Sequence, residues 1–150
     1  VLKLREPYRK KLRIHMYGLG PLKGSLESFI AEHDLQDIVE LNGAIDAQNL
    51  ADVFCKVGYL IIPSRIESIP VVFSDALQSG VPVISTPVGD LKSLIEAHGC
   101  GILAEDVSAD GIARAIEQAC DADRTALALK AKQLAGEFEV GQVVKKWTDL

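Results

Sequence analysis

The feature that most constrains this chain is an alternation. Short apolar runs, too brief for helices, are separated by longer stretches whose apolar residues recur every three or four positions. Leu12 to Tyr17, Ile38 to Leu41, Tyr59 to Ile62, Pro82 to Ser85 and Gly101 to Ala104 read as strands. Helices are predicted over Leu22 to His33, Asp46 to Val57, Pro70 to Ser79, Asp90 to Ala97, Ser108 to Ala122 and Arg124 to Glu137. A last amphipathic stretch, Val140 to Leu150, carries Val143, Val144 and Trp147. Gly18-Leu19-Gly20-Pro21, Asn42-Gly43 and Pro63-Ser64 stop the first three strands, and Gly80 stands where a left-handed helix cap is needed. Strands apolar on both faces and alternating with helices predict a parallel sheet covered on both sides, a doubly wound α/β domain.

Composition narrows the classes. With 150 residues, 48% of them apolar, the chain can bury a core without a disulfide or metal staple, and disordered or low-complexity classes are excluded. No apolar run reaches the length of a membrane span, and the opening residues are not expected to act as a leader. Cys55, Cys100 and Cys120 are odd in number and widely spaced, which predicts buried, reduced thiols and no zinc site. Six of the 16 basic residues lie in the first thirteen positions, and the remainder of the chain is strongly acidic. With only 5% aromatic residues, this argues against a nucleic-acid partner. The basic head reads as a solvated helix face or a contact for anionic lipid. The chain opens without methionine inside a periodic segment, as a piece of a longer protein does.

A doubly wound sheet binds ligands beyond the carboxyl ends of its strands. Four segments are predicted there: Gly18 to Pro21, Gly43 to Ile45, Ser64 to Pro70 and Thr86 to Asp90. The third is the most chemical. Glu67 lies on its loop, and Asp75 follows eight residues later in the first turns of the next helix, with Pro70 in the opening turn. Unpaired N–H groups at a helix start favour phosphate, and a nearby carboxylate suits sugar hydroxyls. Together they describe a nucleotide sugar.

Pro63-Ser64-Arg65-Ile66-Glu67, the run from Asp75 through Gly80-Val81-Pro82-Val83-Ile84 to Thr86, Pro87-Val88-Gly89, Gly101-Ile102-Leu103 and Gly18-Leu19-Gly20-Pro21 stand in one order. That order resembles the C-terminal, donor-binding domain of GT-B glycosyltransferases of the retaining family 4 group, over roughly Leu12 to Leu150. The resemblance implies a Rossmann-like fold, the C-terminal half of a GT-B enzyme, in which Glu67 faces the donor hexose and Asp75 holds the ribose hydroxyls. It implies that the N–H groups of Ile69, Val71 and Val72 meet the diphosphate or sugar, while Pro70 has none to offer. Gly18 and Gly20 match the family's glycine loop, Gly43 and Ala44 lie where the base is usually held, and Gly89 matches the first of a glycine pair. The implied donor is a UDP-, GDP- or ADP-sugar, with no metal.

Three departures stand out. The second acid is Asp75 instead of Glu; the glycine pair is Gly89-Asp90, followed by Ser93 in place of a glutamate; and the family's diphosphate-binding Arg and Lys would precede Val1. Asp90 would repel a diphosphate unless its side chain turns away. The resemblance further implies front-side displacement with retained configuration, a glycan, lipid or small acceptor, and an N-terminal domain of the same chain. A helix over 138–150 would pack on that domain. The enzyme would be cytoplasmic or peripheral at the inner face of the membrane, and this stretch alone would bind donor weakly and transfer nothing. Other readings stand beside this one: a GT-B-like nucleotide-binding or interaction module without catalysis, or a nucleotide-sugar epimerase of the same fold.

Arg65 is a candidate for contacting the donor, its side chain either paired with Glu67 or Asp75 at the mouth or solvated. His15 faces the core or the sheet edge, His33 suits a helix C-terminus, and His98 precedes a Gly-Cys-Gly turn. Cys100 has no cationic neighbour to activate it, and Ser64 is in no Gly-x-Ser-x-Gly elbow. Gly18-x-Gly20 lacks a third glycine and no phosphate-loop motif is present, which disfavours a dehydrogenase or NTPase.

Overall fold

The computed structural model describes residues 1–138. It contains strands β1 (Ile14–Tyr17), β2 (Val39–Asn42), β3 (Leu60–Ile62), β4 (Val83–Ser85) and β5 (Gly101–Leu103). The helices are α1 (Glu6–Arg9), α2 (Lys23–Glu32), α3 (Ala47–Phe54), α4 (Val71–Gln78), α5 (Gly89–His98), α6 (Ala109–Asp121) and α7 (Arg124–Ala135). Every anticipated strand forms, most of them shorter than the apolar run. β1 starts at Ile14 instead of Leu12 because Lys11 and Leu12 donate their N–H groups back to Tyr8 and Arg9 in the turn closing α1. Most of the predicted stretch from 138 to 150 lies outside the described residues.

All strand pairs are parallel, as the α/β alternation requires, but they form two ladders where one continuous sheet was anticipated. β1 pairs with β2 from Ile14↔Val39 to Tyr17↔Asn42, and β3, β4 and β5 form the second ladder in that order. Apolar runs identify strands; they do not say which strands are neighbours. The chain divides into two compact units, Val1–Leu50 and the residues from Ala51 on.

In the first unit the strands are not covered on both faces. His15, Met16 and Tyr17 are exposed. Only α2 is long enough there to cover a sheet, and one helix can cover only one face. Leu26 and Ile30 of α2 are half-buried, whereas Leu22 and Phe29 are exposed. His15 is exposed and not in the core: its Nδ1 lies 2.9 Å from Oε2 of Glu40, its register partner on β2. His33 caps the C-terminus of α2 and its ring lies 4.2 Å from that of Phe29.

The second unit holds the larger core. Successive β4 residues point to opposite faces, yet Val83, Ile84 and Ser85 are all buried, so this ladder is covered on both sides. α6 packs on β4 and β5, α5 on β5, and α4 and α5 on α7. Phe73, Leu77, Leu91 and Leu134 fill the centre, each burial contributing about 1.5–3 kcal/mol. α4 ends in a Schellman motif: Val81 N–H donates to Ala76 O at 2.8 Å, Gly80 N–H to Leu77 O at 2.9 Å, and Gly80 has φ 70°. This closure delivers the chain directly into β4. Of the three cysteines only Cys100 is buried; Cys55 and Cys120 are exposed, because apolar residue type alone does not fix which side of a helix end meets the core.

Candidate functional site

Within each unit, two of the four predicted loops leave adjacent parallel strands at their carboxyl ends. In the first unit Gly18 N–H donates to Gly43 O at 3.1 Å, one step beyond the Tyr17↔Asn42 pair, so the two glycine loops start side by side. The loop after β1 opens a cavity of about 260 Å³ whose lining includes Tyr17, Gly18, Gly20, Lys23, Leu41 and Asn42. Gly43 and Ala44 are exposed and are not among its lining residues. One functional candidate was missed in the sequence. The side-chain nitrogen of Asn42, Nδ2, is buried without a hydrogen-bond partner among the described residues. In sequence Asn42 reads only as the turn residue of Asn-Gly.

In the second unit the loop from Ser64 to Pro70 is tied to the segment after β4 along its length. Thr86 N–H donates to Ile62 O at 3.2 Å, and the buried Thr86 hydroxyl donates to Ser64 O. At Gly89, φ is 49°, and a Cβ there would stand 2.0 Å from the carbonyl oxygen of Glu67. One residue further, Ser68 Oγ donates to Asp90 Oδ2 at 2.9 Å. Asp90 is in the first turn of α5, where a carboxylate is favoured by the helix dipole.

The loop ends at Pro70, which occupies the N-cap of α4 and not its first turn, with φ −70° and ψ 144°. An extended ψ places Pro70 outside the helix while its carbonyl accepts from Phe73 N–H at 2.9 Å. Among the described residues no side chain caps α4, so the N–H groups of Val71 and Val72 point out from the helix start without one. Val71 is 78% exposed. Glu67 and Asp75 are both half-buried, and among the described residues neither carboxylate is engaged in a hydrogen bond or ion pair. Arg65 is exposed and, among the described residues, pairs with neither acid. Ile69 is exposed on the same loop. The unit therefore presents a fixed loop acid, a second acid on the following helix and an uncapped helix start, a set suited to hydroxyls and an anion.

His98 is the last residue of α5, 3.8 Å from Glu137, and the chain leaves the helix after it at the left-handed cap Gly99. Cys100 is buried and its thiol is pushed up to about 11, so it is no nucleophile. Among the described residues no group of three or more His, Cys, Asp or Glu side chains is arranged to hold a metal, and no helix is long and apolar enough to cross a membrane.

The profile of the family described as glycosyl transferases group 1 matches residues 1–122. A D-inositol 3-phosphate glycosyltransferase of Paenarthrobacter aurescens is 31% identical over 125 residues, covering 81% of this chain and 30% of its own length. WaaG, a glycosyltransferase involved in lipopolysaccharide biosynthesis, superposes with a TM-score of 0.79 at 19% identity, over 98% of this chain and 40% of its own. HepE of Anabaena in complex with UDP-glucose gives 0.75 at 18% identity, over 98% and 47%. These structures share the Rossmann-like fold. The chain spans 25% to 33% of the curated relatives it matches first.

Proposed function

The chain belongs to the glycosyl transferases group 1 family, and on that premise we propose that it is the donor-binding part of a retaining hexosyltransferase. The donor is a UDP-, GDP- or ADP-sugar. The acceptor is a glycan, lipid or small molecule held by an N-terminal domain of the same protein, working at the cytoplasmic side of polysaccharide or glycolipid synthesis. The observation that carries this reading is the second unit's loop, whose Glu67 backbone is held against Gly89 and which leads into the start of α4, where no side chain among the described residues caps the N–H groups of Val71 and Val72. Those N–H groups meet the diphosphate, and Glu67 accepts hydrogen bonds from the hexose. Asp75 takes the ribose hydroxyls, reaching across its missing methylene through water. Gly18, Gly20, Gly43 and Ala44 accommodate the nucleoside, and Asn42 joins them as a donor to it. Gly89 keeps the Glu67 loop in place.

In the reaction the bond between the anomeric carbon and the β-phosphate oxygen breaks while the acceptor oxygen bonds on the same face. The acceptor proton passes to the departing phosphate oxygen, and the nucleoside diphosphate leaves. The protein contributes orientation and fixed dipoles toward the developing negative charge.

Two-dimensional NMR titration of the intact protein with UDP, GDP, ADP and their glucose or mannose conjugates tests this. Shifts centred on Gly18 to Pro21, Gly43 to Ile45 and Glu67 to Ala76 for one base are expected. No shift with any of the compounds overturns the reading and leaves a module without donor binding.

A further inference from the structure

Asp90, which departs from the family's glycine pair, is bonded to the loop that carries Glu67. A serine hydroxyl and a carboxylate, Ser68 and Asp90, lie 22 residues apart in sequence and 2.9 Å apart in space. Their neighbours Glu67 and Gly89 are also in contact, through the Glu67 carbonyl and the Gly89 α-carbon. The loop and the start of α5 thus meet at two consecutive positions. The contact at Glu67 sets the position of its backbone, and the bond at Ser68 sets the direction in which the chain leaves it. Between them they restrict rotation of the peptide units on which the Glu67 side chain hangs.

We propose that Asp90 is a positioning residue that acts through Ser68 to aim Glu67 at the hexose of the donor. The inference rests on the donor-binding reading above. It also gives Asp90 a consistent place electrostatically: its Oδ2 is turned to the Ser68 hydroxyl, and its charge lies in the first turn of α5, whose dipole favours it. The bond serves the sugar end of the donor. It does not serve the bare diphosphate, whose donors are the N–H groups of α4.

That division sets the test. For the parent protein and for Ser68→Ala, Asp90→Leu and the double variant, dissociation constants are measured for UDP, GDP and ADP and for UDP-glucose, GDP-mannose and ADP-glucose. The ratio of the sugar conjugate's Kd to that of its own diphosphate should rise about fivefold in each single variant, the effect of losing one modest hydrogen bond. The double variant should be no worse than either single one. Ser68→Thr and Asp90→Asn, which keep a hydroxyl and an acceptor oxygen, should restore most of the ratio. Both residues are exposed, so thermal melting should show all variants folded. A role in stability alone would lower the melting temperature and leave the ratio unchanged, and that result overturns the proposal while the donor reading stands. A parent that binds none of the six compounds overturns both.

Discussion

The carbonyl oxygen of Glu67 rests against the α-carbon of Gly89, leaving no room for a side chain. A Cβ at that position would stand 2.0 Å from the oxygen and 3.0 Å from the α-carbon of Ser68. Both neighbours are backbone, so neither can move aside as a flexible side chain would. Gly89 also has φ 49°, where an L-residue is disfavoured by about 1–2 kcal/mol. Gly89→Ala should therefore destabilise the protein by about 2 kcal/mol or more, read as a lower urea midpoint at unchanged slope. An unaltered midpoint would mean that the loop moves freely away from α5.

Asn42 should show the opposite sign. Its buried Nδ2 has no hydrogen-bond partner among the described residues, a condition that costs about 1–3 kcal/mol. Asn42→Leu, close in volume, should stabilise the unliganded protein by about 1 kcal/mol while weakening nucleotide binding about tenfold, as expected if a ligand acceptor occupies that donor. Stabilisation with undiminished binding would remove Asn42 from the nucleoside site.

For Glu67 the conservative change is Glu67→Gln. A carboxylate accepting from a sugar hydroxyl contributes about 1.5–3 kcal/mol, so kcat/KM with the cognate donor should fall roughly tenfold to a hundredfold. Asp75→Asn should act chiefly through donor affinity, since its proposed contact is to the ribose. Steady-state kinetics separate the two, and wild-type rates in Glu67→Gln would sink the assignment.

Tyr59 gives a pH signature away from the site. Its hydroxyl donates to Ala119 O at 2.9 Å, and burial raises its pKa above the ordinary 10.0. A phenol whose folded pKa is raised contributes stability that is complete below the unfolded value and lost as pH rises through the folded one. Tyr59→Phe should cost about 1 kcal/mol near neutrality. Above pH 10 the gap between wild type and variant should narrow, and a gap that widens there would contradict the cause assigned.

The thiols should divide in labelling. At pH 8 iodoacetamide should modify Cys55 and Cys120 and spare Cys100, whose thiol is buried and pushed up to about 11. Mass spectrometry of the native protein resolves the three. Equal labelling of Cys100 would show that β5 opens readily.

Much of the architecture could be read from the sequence because strand and helix periods differ and the punctuation is chemical. Gly80 marked the end of α4, and Ser108 and Asp123 occupy the N-caps of α6 and α7, the latter accepting from Thr125 and Ala126 N–H. The Glu67 to Asp75 spacing likewise fell across a loop and the following helix as anticipated. What could not be read is tertiary. Division of the strands into two ladders depends on neighbours, which apolar patterns leave open. The exposure of Cys55 and Cys120 depends on which turn of a helix meets the core. Asp90 taken alone reads as an unwelcome charge, and only the fold brings Ser68 to it. Asn42 carries a turn signal that hides the burial of its amide.

The Ser64 to Pro70 loop is held at its start by Thr86, in its middle by Gly89 and Asp90, and at its end by a ring that fixes φ. Its backbone freedom is thus largely spent during folding. A ligand arriving there has little chain left to order, so its association should be fast and carry only a small conformational-entropy penalty. The selectivity of such a loop resides in its fixed shape, and changing what it accepts would require rebuilding its supports on the β4–α5 side before altering the residues that touch the ligand.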